Sequence, residues 1–165
     1  MSECQKCLDP TALGLFLVTL VSLVIAFNYL IESSFNPATP QFAIVMGIMA
    51  LFVAYFAYKA ESQFGFTVFA LVGGAVLLHG LGIGTWEYIF FGVLILLAVI
   101  WSLIAKTPKL LTVILLLTAL IFIIVGAMSL VDNDLGKILG VVALLNGILA
   151  LYLGFAIATG KAPIV

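Results

Sequence analysis

Charge is what this chain lacks. Only 8% of its 165 residues are Asp, Glu, Lys or Arg, against about 25% in an ordinary soluble domain. It has no arginine, a single histidine and two cysteines. Each shortage removes a class of function. Six scattered lysines do not make the basic face that a nucleic-acid binder needs, so no nucleic-acid partner is expected. Cys4 and Cys7 form a lone CxxC near the N-terminus, half of a zinc site or a redox pair in form. A structural zinc site wants four ligands, and His79 is predicted to lie near the opposite membrane face. A disulfide is disfavoured in a reducing compartment. No Ser/His/Asp or Cys/His constellation falls at membrane depth, so no catalytic residue, metal or cofactor is assigned and the chain is not expected to be an enzyme. No buried carboxylate is available for a proton-coupled pump.

What the chain does have is apolar length. Hydrophobic residues make up 65% of it, gathered in six uninterrupted stretches at 14–31, 42–58, 64–83, 88–105, 110–131 and 139–158. About 17–25 helical residues cross a hydrocarbon core some 30 Å thick. No Asp, Glu, Lys or Arg lies inside any stretch. A membrane β-barrel would show alternating segments of about ten residues instead. The predicted fold is an all-α integral membrane protein of six transmembrane helices with short loops and no soluble domain. Residues 1–12 and 159–165 are read as tails and 13–158 as the transmembrane domain. The first stretch is too long for a secretory h-region and has no small-x-small cleavage site after it, so it is read as a retained span.

Sidedness follows from the lysines. Lys6, Lys59, Lys106, Lys109 and Lys161 share one side of a six-span topology and only Lys137 takes the other. The positive-inside rule then puts both termini in the cytoplasm. Glu32, Asp132 and Asp134 give the other face an acidic character. Tyr29, Tyr58, Trp86, Tyr88 and Trp101 sit near span ends and read as an interfacial aromatic belt. His79 ends the third span beside Gly80, Gly82 and Gly84. It reads as an interfacial loop residue, with a proton sensor as the sharper alternative.

Gly140, Gly147 and Gly154 recur every seven residues in the sixth span. They line one face with slow drift and invite a close helix crossing. Gly136 extends the stripe. Whether the partner helix lies within the protomer or in a neighbour is open at this level. The fifth span is mostly Leu, Ile and Val, and most of its surface is expected to meet lipid. Uncharged polar side chains remain: Thr19, Ser22, Asn28, Thr67, Thr118, Asn146 and Tyr152. They either line a path for a small polar solute or bond a neighbouring helix. The residues alone leave a small-solute channel and a membrane scaffold both open.

Three segments carry a resemblance. The first span opens with Asp9-Pro10-Thr11-Ala12-Leu13-Gly14-Leu15. The second junction reads Tyr58-Lys59, then Phe64-Gly65-Phe66-Thr67-Val68-Phe69, with Gly73 four residues on. The sixth span carries Ala150-Leu151-Tyr152-Leu153. Together they resemble the acetate uptake transporter family, the YaaH-type succinate–acetate permeases, over nearly the whole chain. The resemblance implies a plasma-membrane channel or transporter for acetate and related small monocarboxylates, assembled as a homo-hexamer in the bilayer with a pore in each protomer. It implies a hydrophobic constriction placed here at Val18, Val72 and Leu117; an apolar ring resists wetting and blocks ions. Two positions depart from the family pattern: Asp9 stands where Asn is usual and Ala12 where Pro is usual. Asp9 and Pro10 still suit a helix start, as N-cap and first-turn residue. A carboxylate at the pore mouth would repel acetate, and an anion inside would need donors that no Arg or Lys supplies. A channel for a small neutral solute such as urea or a short amide is therefore the alternative reading, followed by a non-transporting scaffold.

Overall fold

The computed structural model describes residues 10–31, 38–82, 85–128, 130 and 135–160. Six helices account for nearly all of them: α1 Thr11–Leu30, α2 Pro40–Lys59, α3 Gln63–Gly80, α4 Thr85–Ile104, α5 Lys109–Met128 and α6 Gly136–Thr159. Each is long and apolar enough to cross a membrane, and no strand occurs among the described residues. Most of both expected tails, with Cys4, Cys7, Lys6, Asp9 and Lys161, lies outside the described residues, as do Glu32, Asp132 and Asp134.

The helix ends follow local chemistry. Thr39 caps α2, its hydroxyl accepting from the Phe42 amide at 3.2 Å, and Pro40 takes the first helical position; this starts the helix two residues before the apolar run. Ser62 caps α3 through the Gly65 amide at 3.2 Å. α3 stops at Gly80, short of the predicted 83, where Leu81 N–H closes onto Leu77 and Gly82 turns left-handed with φ 79°. Two short turns share one device. Ser62 N–H reaches back to Ala57 O at 2.9 Å, and Thr107 N–H to Ser102 O at 3.2 Å. The residues before them, Glu61 and Lys106, are left-handed at φ 58° and 53°. These are Schellman closures made without the usual glycine.

The helices form a ring in chain order. The closest pairs are α1 with α6, α2 with α3, and α4 with α5, and looser contacts of α1 with α2, α3 with α4 and α5 with α6 complete the circuit. In hydrocarbon, association rests on dispersion and close backbone approach rather than on expelling water, and the tight pairs carry the small residues this requires. The α6 glycine stripe packs within the protomer, against α1. A Cβ at Gly140 would lie 2.7 Å from Leu30 Cγ, one at Gly147 2.9 Å from Leu23 Cδ2, and one at Gly154 3.1 Å from Phe16 Cε1. Between α2 and α3 the approach is closer still: a Cβ at Gly47 would stand 2.5 Å from the Leu77 backbone nitrogen. Ala43, Ala50, Ala54 and Ala57 continue that α2 face, all buried.

The fifth helix has one inward face, which buries Ile114, Leu115, Thr118, Ala119, Ile121, Phe122 and Gly126. Its large exposed hydrophobics are Val113, Leu116 and Leu120. Lipid tails and neighbouring helices are equally apolar, so a Leu/Ile/Val run does not say which one it faces.

Gly47 and Gly74 make a matched test. Gly47→Ala should destabilise the bundle by about 1–3 kcal/mol, because the added carbon meets immovable backbone. At Gly74 a Cβ meets nothing within 4 Å, so Gly74→Ala should be neutral or gain up to about 1 kcal/mol of helix propensity. Thermal unfolding in detergent measures both; equal melting of the two variants would mean the α2–α3 crossing is looser than described.

Candidate functional site

The ring surrounds a partly open cavity of about 270 Å³, with lining contributed by all six helices. It is large enough for a small solute, since a liquid water occupies about 30 Å³. Toward the C-terminal end of α1 its walls are Asn28, Tyr29, Thr39, His79, Tyr88 and Val125; toward the other end they are Gly14, Val18, Phe69, Val72 and Thr118. The Phe69 ring sits directly on Gly14: a Cβ there would lie 2.1 Å from Phe69 Cζ. Beside that contact, buried Leu15, Ile114, Ala150 and Leu153 pack together with Val18 against them.

A buried polar cluster interrupts the apolar wall near the middle of α1 and α6. Asn146 of α6, 1% exposed, donates from Nδ2 to Ser22 Oγ of α1 at 3.0 Å and to Thr118 Oγ1 of α5 at 3.1 Å. Ser22 and Thr118 are buried too, and all three line the cavity. Thr118 in turn donates to Ile114 O at 2.8 Å. The amide oxygen of Asn146 has no hydrogen-bond partner among the described residues. A single side chain thus joins three helices and leaves one acceptor uncommitted.

Tyr88 departs from the expected belt. It is buried, with its hydroxyl 2.6 Å from His79 Nδ1, and both residues line the cavity. His79 sits in the last turn of α3 rather than in a loop. Trp86 and Tyr58 do lie exposed near helix ends, and Trp101 stacks edge-on against Phe64 with centroids 5.3 Å apart.

Of the residues singled out in the sequence, the structure brings Val18, Val72, Ser22, Asn28, Thr118 and Asn146 to one cavity. It does not bring Leu117, Thr19, Thr67 or Tyr152 there. α5 turns Thr118, Ile121, Phe122 and Val125 to the cavity, and Leu117 lies to the side of that face. The Thr19 hydroxyl bonds its own helix at Leu15 O, 2.9 Å away, and the Thr67 hydroxyl bonds Gln63 O at 3.0 Å. Tyr152 is exposed on the outer surface, beside Lys109, Leu110, Val113 and Leu149.

The motif residues have structural reasons. Gly14 admits the Phe69 ring, and Leu15 is buried against α5 and α6 while Leu13 faces outward. Gly65 leaves room for the Ser62 cap, since a Cβ would come within 2.8 Å of the Ser62 hydroxyl oxygen. Pro10 accepts the first helical bond of α1, from Gly14 N at 3.0 Å. One feature had no sequence signal: Ser102, fully buried, lies 2.5 Å from the Thr107 hydroxyl and 2.6 Å from that of Thr112. This trio ties the α4–α5 turn together, and hydroxyls far apart in role look like any others in sequence.

A closed ring of six membrane-length helices, surrounding a partly polar cavity within one chain, defines the class: a multi-pass all-α integral membrane protein. Among solved structures, that of the bacterial acetate channel SatP shares the fold. The two align with a TM-score of 0.83 over 95% of this chain and 98% of that one, at 19% sequence identity. No protein-family model and no curated protein matches the chain.

The cluster can be told from ordinary helix bonding by paired substitutions. Thr118→Val removes an acceptor from a buried amide and should cost about 1–3 kcal/mol, whereas Thr19→Val gives up only a bond within its own helix and should cost less than about 1 kcal/mol. Chemical or thermal unfolding of both in detergent reads the difference; equal losses would deny Asn146 its bridging role.

Proposed function

We propose that the chain is a membrane channel for acetate and related small monocarboxylates, rather than an enzyme, with one path through each protomer. The observation that carries this reading is the partly open interior cavity with its buried Ser22–Asn146–Thr118 cluster, in a fold shared with an acetate channel. A scaffold subunit has no need of an interior space with an uncommitted polar atom, since such an atom costs free energy unless something pairs with it.

The narrow part of the path is assigned to Val18 and Val72, with Phe69 lying over Gly14 as the closure beneath them. Leu117 is left out of this assignment, since the cavity lining on α5 is Thr118, Ile121, Phe122 and Val125. An apolar constriction of this kind excludes hydrated ions until it widens or a solute fills it. Both termini are placed in the cytoplasm of a plasma-membrane protein, a reading supported by Lys59, Lys106 and Lys109 on one side and Lys137 on the other. Assembly as a hexamer rests on the family resemblance.

Flux of labelled acetate into proteoliposomes tests the proposal. Protein-containing vesicles should take up acetate faster than empty ones. Val72→Trp should cut that excess by about tenfold or more while assembly by size exclusion is unchanged, since open space accepts bulk that a packed core rejects. Leu117→Ala should leave it within about twofold. No excess flux in the wild type would defeat the proposal; a Leu117→Ala effect as large as that of Val72→Trp would move the constriction.

A further inference from the structure

We propose that Ser22 and Asn146 form a binding site for the uncharged form of the permeant, the undissociated carboxylic acid or an isosteric primary amide, and not for the carboxylate. The inference rests on the cavity being the permeation path and names what that path recognises.

Counting hydrogens decides it. The Thr118 hydroxyl hydrogen is spent on Ile114 O at 2.8 Å, so Thr118 Oγ1 is left to accept. That requirement fixes the Asn146 amide, which must present its NH2 to Thr118 at 3.1 Å and to Ser22 at 3.0 Å. Both amide hydrogens are then used. Asn146 Oδ1 is left with no donor, though the residue is 1% exposed. Ser22 Oγ accepts from the amide, and its own hydrogen has no acceptor among the described residues. Both residues belong to the cavity wall; the unpaired acceptor is itself covered in this conformation, so a ligand reaches the acceptor and the neighbouring donor by displacing the side chains that cover them.

A carboxylate has only acceptors. Against Asn146 Oδ1 it would place like partial charges together, and no lysine lines the cavity to compensate. Bringing an unpaired carboxylate out of water costs far more than bringing in a neutral group. An undissociated acid supplies what is missing on both sides. Its O–H donates to Oδ1 and its carbonyl accepts from the Ser22 hydroxyl. The N–H and C=O of acetamide do the same at any pH.

Acetamide also separates titration of the ligand from titration of the protein. The titratable groups lining the cavity are Tyr29, His79 and Tyr88. On the helices that carry the site, Lys109, Lys137 and Tyr152 lie outside that lining. Any effect of these groups would alter the binding of both probes together.

The experiment is binding of 13C-acetate and of acetamide to the intact purified protein in nanodiscs, by saturation-transfer NMR, from about pH 5 to about pH 8. Apparent acetate affinity should fall about tenfold for each pH unit above the acid's own pKa, while acetamide affinity stays level and acetamide displaces acetate. Ser22→Ala, which leaves the Asn146–Thr118 bond in place, should weaken both probes by about tenfold. Asn146→Leu should abolish both. Acetate binding that is level with pH and insensitive to acetamide would overturn the proposal while leaving the channel reading intact. So would a pH dependence shared by both probes, or a Ser22→Ala variant that binds like the wild type. If neither probe binds and the wild type shows no acetate flux, the channel reading falls and this inference with it.

Discussion

The whole structure depends on how closely its helix pairs approach. In a bilayer a leucine gains nothing by leaving lipid for a neighbouring leucine, so association rests on close helix approach at small residues and the few hydrogen bonds it permits. The chain provides this in three pairs. Gly47 sets α2 against the Leu77 backbone, Gly140, Gly147 and Gly154 set α6 against α1, and Gly92 sets α4 against Ile123 of α5. Tight pairs joined by looser contacts leave room at the centre. The cavity is therefore a consequence of the packing, bounded where the pairs meet only loosely.

The same geometry explains why one asparagine can serve three helices. Gly147 lies one residue from Asn146, and its missing side chain lets α1 come near beside Ser22: a Cβ at Gly147 would stand 2.9 Å from Leu23 Cδ2. The bond from Asn146 to Ser22 follows from that approach, and the one to Thr118 draws α5 into the same node. Uncharged amides and hydroxyls suit this place, because an ionised group without a partner would carry a far greater desolvation penalty. The lack of charge noted in the sequence and the polar cluster found in the cavity are thus one design constraint seen twice.

The six helices were legible in sequence because bilayer thickness dictates span length and hydrocarbon excludes charge. The glycine stripe was legible as a contact, but its partner was not, since a stripe shows what a helix face tolerates and not what stands opposite. Which face of α5 turns inward was not legible, because aliphatic residues look alike to lipid and to protein. Tyr88 was misjudged for a related reason: a tyrosine near a span end suits an interface equally well when its hydroxyl meets water or, as here, His79. Of the seven polar candidates, Ser22, Asn28, Thr118 and Asn146 reach the cavity, whereas Thr19 and Thr67 bond their own helices and Tyr152 faces outward. Choosing among them needed the rotation of each helix, which a nearly uniform apolar sequence leaves unmarked.

The central claim is that a solvent-reachable space lies inside the ring of six helices. Ile25 lines it, while Leu20 on the same helix is 46% exposed on the outer surface. The direct measurement is thiol modification in proteoliposomes, using Ile25→Cys and Leu20→Cys in a background with Cys4 and Cys7 replaced by serine. A small, charged, water-soluble reagent should modify position 25 and be slowed by acetate, and it should leave position 20 untouched in lipid. Modification of position 20 with position 25 inert would contradict the account, because the water would then be outside the ring and not within it.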